Sequence, residues 1–269
     1  MESSSLPDQS GSIPESGILT MGSLFAGIGG FEIGFEATGR IKTEWQVEKD
    51  DYARRVLAKH WPDVYRHDDV CTFPTPQAKP VDIITLGFPC QDISFSGEGA
   101  GLNGKRSGLF FEAIRIIREM GCRYAVVENV PALLNRGMGE VLASLSESGF
   151  DAEWSVVSAR SLGSPQMRKR LFVIAYLSDS SSSRSTTRIP APTQRCKRDT
   201  GVTDNCGDQS CWRQGESHWS IEPDVDRLVD GFRDRACQLR CLGNAVVPQV
   251  ARVVAERLLE IHDARCVNF

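Results

Sequence analysis

No apolar run in this chain approaches the length of a membrane-spanning helix. The opening stretch, MESSSLPDQSGSIPESG, lacks both the basic start and the apolar core of a signal peptide, so residues 1–19 read as a flexible tail ahead of the fold. The nine cysteines are odd in number and form no paired framework. With no export signal, they point to free thiols in a reducing cytoplasm. A strong charge of either sign is also missing. The formal net charge of −4 gives no bulk electrostatic argument for nucleic acid, so any DNA contact would come from a local basic surface.

What is present is the material of one large α/β domain. The 269 residues are 41% hydrophobic and 25% charged, which is ordinary for a globular chain able to bury a sizeable core. Short apolar runs (ILTMGSLF, TEWQVE, VDIITLG, YAVVENV, AEWSVVSA, RLFVIAYL) alternate with segments of helical spacing (GGFEIGFEATG, DDYARRVLAKHW, SGLFFEAIRIIREMG, MGEVLASLSESG). In the third helical segment Phe110, Ile114 and Ile117 share a face, with Arg115, Arg118 and Glu119 turned away. Repeated βα units predict a doubly wound, mostly parallel sheet whose ligands lie beyond the carboxyl ends of the strands. From Ser178 to about Ser220 the texture changes to Ser, Thr and turn formers, read as an irregular insert. Order returns near Ile221, and LGNAVVPQVARVVAERLLEIHDA supplies a turn and an amphipathic helix with Val250, Val253, Val254 and Leu258 in register.

Six places carry chemistry. Gly27, Gly29 and Gly30 lie between a strand and a helix, where glycine lets backbone approach a ligand; a plain tight turn explains them equally well. Glu48 ends the second strand about twenty residues on, a position suited to the hydroxyls of a ribose. Asp69 falls where a third strand should end and could accept from an adenine amine. No lysine accompanies the glycine loop, so a nucleoside cofactor without pyrophosphate fits better than a dinucleotide. Cys90 stands at a strand mouth in TLGFPCQDISFSGEGAG. Glu128 closes the apolar run of VVENV, where desolvation favours the protonated acid; the plainer alternative is a carboxylate capping a loop. Arg168 and Arg170 precede a strand and share a face, with Lys169 opposite; an ordinary solvated strand start would look the same.

In this order, FAGIGG, the strand-end Glu, PCQ, ENV, the paired arginines and GNAVVPQVA resemble the cytosine-C5 DNA methyltransferases. The resemblance covers residues 20–177 and 235–265, and the long stretch after PCQ is most similar to the bacterial and phage branch. It implies a class I, Rossmann-like fold that uses S-adenosyl-L-methionine. Catalytic and cofactor-binding residues would fill 20–177, a short target-recognition region 178–234, and a returning segment 235–269. By the same resemblance Cys90 is the nucleophile and Glu128 the acid at the base. Arg168 and Arg170 orient that acid, while Gln91 and Ser94 shape the loop. Phe25, Gly27, Gly29, Gly30, Glu48, Asp69 and Asn244 hold the cofactor. Lys49 departs from the family, many of whose members carry an apolar or aromatic residue there. The resemblance further implies double-stranded DNA as partner, a monomeric protein, and room for a cognate restriction endonuclease.

The recognition region is short. Arg184, Arg188, Arg195, Lys197, Arg198 and Arg213 could grip phosphates, offset by Asp199, Asp204, Asp208 and Glu216. Cys196, Cys206, Cys211 and His218 invite a zinc reading, but no CxxC pair supports it, and the expectation is no metal. Trp212 and Trp219 read as packing anchors. Competing expectations are the same chemistry on transfer RNA, a DNA-binding homologue without activity, and a nicotinamide or flavin oxidoreductase. The last leaves Cys90 and Glu128 unexplained.

Overall fold

A computed structural model of the chain describes residues 17–89, 108–178, 187–188 and 235–266. Within it, the neighbours Ile83 and Ile84 are both fully buried yet belong to different cores. Their strand, β4 (Ile83–Leu86), is buried along its whole length, as is β5 (Tyr124–Asn129), because helices cover both faces of the sheet. Alternation along β5 sends Val126 to one core and Val127 to the other.

The remaining strands are β1 (Leu19–Leu24), β2 (Ile41–Val47), β3 (Tyr65–His67), β6 (Phe150–Ser158), β7 (Lys169–Leu177) and the two-residue β8 (Thr187–Arg188). The sheet order is β3-β2-β1-β4-β5-β7-β6-β8. Strands β1 to β5 pair in parallel, whereas β7 runs antiparallel to both β5 and β6. The chain winds outward from β1 to β3, then resumes on the other side of β1 at β4. That reversal leaves a crevice beyond the carboxyl ends of β1 and β4.

On one face α3 (Gly108–Met120) and α5 (Met138–Glu147) cover Ile84, Leu86 and Val127. The expected stripe of Phe110, Ile114 and Ile117 is buried there, joined by Ala113 and Ile116. On the other face α1 (Gly30–Glu36) and α7 (Pro248–Cys266) cover Met21, Ile83 and Val126. Gly34 is what lets these two helices meet, since a Cβ there would collide with the Pro248 carbonyl and with Ala251. Helices α2 (Asp51–His60), α4 (Leu133–Arg136) and α6 (Arg235–Asn244) complete the set among the described residues.

The doubly wound, mostly parallel sheet anticipated from the sequence is the one observed. Three details differ. The buried stripe of α7 is Val250, Ala251, Val254, Ala255, Leu258 and Leu259, with Val253 only half-buried at its margin. Helix α6 was not expected ahead of the final turn. Within the stretch read as irregular, Thr187–Arg188 extends the sheet beside β6. The tail over residues 1–16, and most of the recognition region including Cys196, Cys206, Cys211, Trp212, His218 and Trp219, lie outside the described residues.

Candidate active site

The turn after β1 is held in an uncommon conformation. Phe25 takes a φ of 56°, the one positive value for a non-glycine among the described residues. Such a φ costs an L-residue roughly 1–2 kcal/mol and persists only where the surroundings enforce it. Here the Ala26 N–H donates to the Val47 carbonyl at 3.1 Å, tying the turn to the end of β2. Gly27 follows with a φ of 57° and no atom near the position a Cβ would take, so its backbone faces open space.

Glu48, just past β2, fastens this turn from beside it. Its Oε2 accepts from the Gly27 N–H at 2.8 Å and its Oε1 from the Asp50 N–H at 2.7 Å. Each oxygen keeps a further lone pair, so the fixed carboxylate can still accept from two hydroxyl groups. Asp69 lies beyond β3. Its Oδ1 accepts from the Cys71 N–H at 2.9 Å, capping a 3-10 turn at Val70–Thr72. That hydrogen bond first, then the charge of Lys49, holds the carboxyl below its ordinary range against the pull of slight burial.

These groups share a cleft of about 540 Å³ with residues from the next strands. Phe25, Gly27, Glu48, Asp69 and Asn244 line one side. Glu128 and Arg170 line the other, together with Gly87, Phe88 and Pro89. The first half is crowded with the carboxylates of Glu48, Asp50, Asp68 and Asp69 against the cations Lys49 and Arg240, a setting that disfavours a pyrophosphate and suits a nucleoside. An adenosine-based sulfonium cofactor therefore fits the residues present: carboxylates for hydroxyls and amine, an aromatic face, and an open glycine backbone.

Glu128 is 8% exposed near the end of β5. Burial pushes its carboxyl above the usual range, and the Arg170 and Arg168 charges only partly counter this. Its Oε1 lies 2.9 Å from Arg170 Nε. A Cβ on Gly87 would stand 3.2 Å from the other oxygen, so glycine there leaves the acid room. Asn129 joins the two strand ends. Its Nδ2 donates to the Phe88 carbonyl at 3.1 Å, while its Oδ1 accepts from the Val130 N–H at 2.8 Å.

Not every expected residue meets in the cleft. Gly29 and Gly30 are close-packing positions within the protein: a Cβ would strike the Trp61 ring at the first and the Val246 carbonyl at the second. Arg168 turns to donate to the Ala245 carbonyl at 2.8 Å and so braces the turn after α6, while Lys169 is exposed. Cys90, Gln91 and Ser94 lie outside the described residues, directly along the chain from Pro89. Gly87, Asn129 and Arg240, which pairs with Asp50, were not singled out from the sequence. The first two stand inside GFPCQ and ENV, but nothing in composition or spacing separates them from strand-end filler. Among the described residues no cluster of His, Cys, Asp and Glu is suited to a metal.

Residues 19–221 match a family model described as C-5 cytosine-specific DNA methylase. The chain is 31% identical over 216 residues to the Type II methyltransferase M1.ScrFI of Lactococcus lactis subsp. cremoris, covering 79% of this chain and 52% of that protein. It is 39% identical over 163 residues to the Type II methyltransferase M2.BsuMI of Bacillus subtilis, covering 58% of this chain and 41% of that one. The chain thus spans about half the length of these curated relatives. In architecture it is similar to the Dnmt2 methyltransferase of S. pombe, with a TM-score of 0.53 at 18% identity over 64% of this chain and 53% of that one. A TM-score of 0.50 at 21% identity relates it to DNMT2 of Spodoptera frugiperda, over 64% and 54% of the two chains.

Proposed function

Because the chain belongs to the family of C-5 cytosine-specific DNA methylases, we propose that it methylates carbon 5 of cytosine in double-stranded DNA with S-adenosyl-L-methionine. The observation that carries the reading is the Glu128–Arg170 pair opening into the same cleft as Glu48 and Asp69. One end of that cleft suits an adenosine and the other a pyrimidine ring that gains negative charge during the reaction.

Carbon 5 of cytosine is a poor nucleophile until the ring loses its aromaticity. The Cys90 thiolate adds at carbon 6, and electron density moves onto carbon 5. Glu128, whose burial favours the protonated form, sits against N3 and stabilises the charge that develops there. Arg170 fixes the acid's orientation through the 2.9 Å contact. Arg168 acts at one remove, by holding the Ala245 turn that ends at the cleft wall. When bound, the cofactor supplies an electrophilic methyl group on a sulfonium. Once carbon 5 carries the methyl group, its proton passes to solvent water or hydroxide and the Cys90 thiolate departs, restoring the base. The target must leave the duplex to reach these groups, as bases do for enzymes that modify them. The Type II relatives extend the same proposal to a bacterial setting with a cognate restriction endonuclease.

The test is a duplex carrying 5-fluorocytosine, which cannot complete the final elimination. With S-adenosyl-L-methionine present, a covalent protein–DNA adduct that disappears in Cys90→Ser supports the mechanism. Absence of adduct across varied sequence contexts, with cofactor binding intact, overturns it. Methyl incorporation into transfer RNA but not DNA would reassign the substrate.

A further inference from the structure

Lys49 follows Glu48 directly and lines the same cleft. Its Nζ stands 3.9 Å from Asp69 Oδ2. Asp69 has already committed its other oxygen to the Cys71 N–H, so Oδ2 is the one left for a ligand, and it is the one the ammonium faces. A gap of 3.9 Å exceeds a full N–H···O hydrogen bond, so neither head is used up by the other. The lysine side chain is 85% exposed, and an ion pair that open adds next to nothing to stability. Its main chain is fixed all the same, because the Lys49 carbonyl accepts from Arg54 Nη1 at 2.9 Å.

A free carboxylate oxygen beside a free ammonium is an acceptor next to a donor. The amine edge of adenine offers the complement: an exocyclic N–H donor flanked by the ring acceptors N1 and N7. We propose that Lys49 and Asp69 read this edge together, the carboxylate accepting from the amine and the ammonium donating to a neighbouring ring nitrogen. Lys49 is then a specificity-determining residue of the cofactor site, and its aliphatic stem lies along the base. The inference rests on the cleft being the S-adenosyl-L-methionine site.

Calorimetric titration of the whole protein with S-adenosyl-L-homocysteine and its 1-deaza and 7-deaza adenine analogues tests it. In the unsubstituted protein one of the two analogues should bind about five- to tenfold more weakly than the parent compound. In Lys49→Met, whose fold an exposed position leaves intact, the parent should weaken by a similar factor and the deaza penalty should vanish. Unchanged parent affinity with the same deaza penalties in Lys49→Met overturns the role of Lys49 and leaves the cofactor site standing. Failure of the unsubstituted protein to bind the parent compound overturns both.

Discussion

Replacing Glu32 by Gln should abolish a pH dependence of stability that one buried carboxyl creates. Glu32 sits on α1, fully buried between that helix and the sheet. Gln46 Nε2 donates to its Oε1 at 3.1 Å, and its Oε2 has no partner. Burial, opposed in part by hydrogen bonds, raises its pKa from 4.5 to about 7. Below pH 4.5 the group is protonated whether the chain is folded or not. Between that point and about pH 7 the unfolded chain releases the proton and the folded one keeps it, so stability falls as pH rises through the window. At roughly 1.4 kcal/mol for each pKa unit, the loss amounts to about 3 kcal/mol once the folded group ionises. The introduced amide carries no charge at any pH. Urea unfolding of both proteins between about pH 4.5 and 8 gives the stability difference, wild type minus variant, in which other titrating groups cancel. That difference should fall by about 3 kcal/mol across the range. A flat or rising difference would refute the reasoning.

Glu128→Gln should lower kcat about 100- to 1,000-fold with cofactor affinity unchanged, since one stabilising group at the developing charge is lost. In the unsubstituted enzyme, activity that needs protonated Glu128 should decline as pH rises through its raised pKa, and a kcat profile of the variant should lack that limb. Asn129→Ala leaves the Phe88 carbonyl without its amide and should slow single-turnover methylation about tenfold while titration with S-adenosyl-L-homocysteine gives the same affinity. Gly30→Ala drives a Cβ into the Val246 carbonyl and should cost about 2–4 kcal/mol in urea unfolding. Gly27→Ala meets no atom, should cost about 1 kcal/mol through its positive φ alone, and so serves as the comparison.

Strand ends were legible in the sequence because their physics is local. Ile83 to Leu86, apolar but for Thr85, and Ala125 to Val127 are short apolar runs, and each stops at a polar or turn-forming residue that then lines the cleft. Glu48 was readable for the same reason. The position of β7 between β5 and β6 was not, since an antiparallel strand inserted there has the same apolar texture as a parallel one at the edge. Gly29 and Gly30 pack against Trp61 and Val246, and in sequence a glycine needed for such packing is indistinguishable from one needed for a ligand. Glu32 gave no signal at all. A charged residue on a short helix suggests solvent, and only the sheet beneath reveals that it faces Ser23 and Gln46. Lys49 was visible as a departure, but its approach to Asp69 within the same part of the cleft was not.

The packing of α7 on α1 sets an order for biosynthesis. Some two hundred residues separate Met21, Phe31 and Phe35 from Val250, Val254 and Leu258, which seal that layer. A ribosome must translate everything between before the apolar surface can be covered, so the half-made protein carries an open greasy flank for much of its synthesis. Such a nascent chain is a natural client for holding chaperones. Fragments that stop short of Pro248 should accumulate as aggregates, and adding the missing helix as a separate peptide should bring them back into solution.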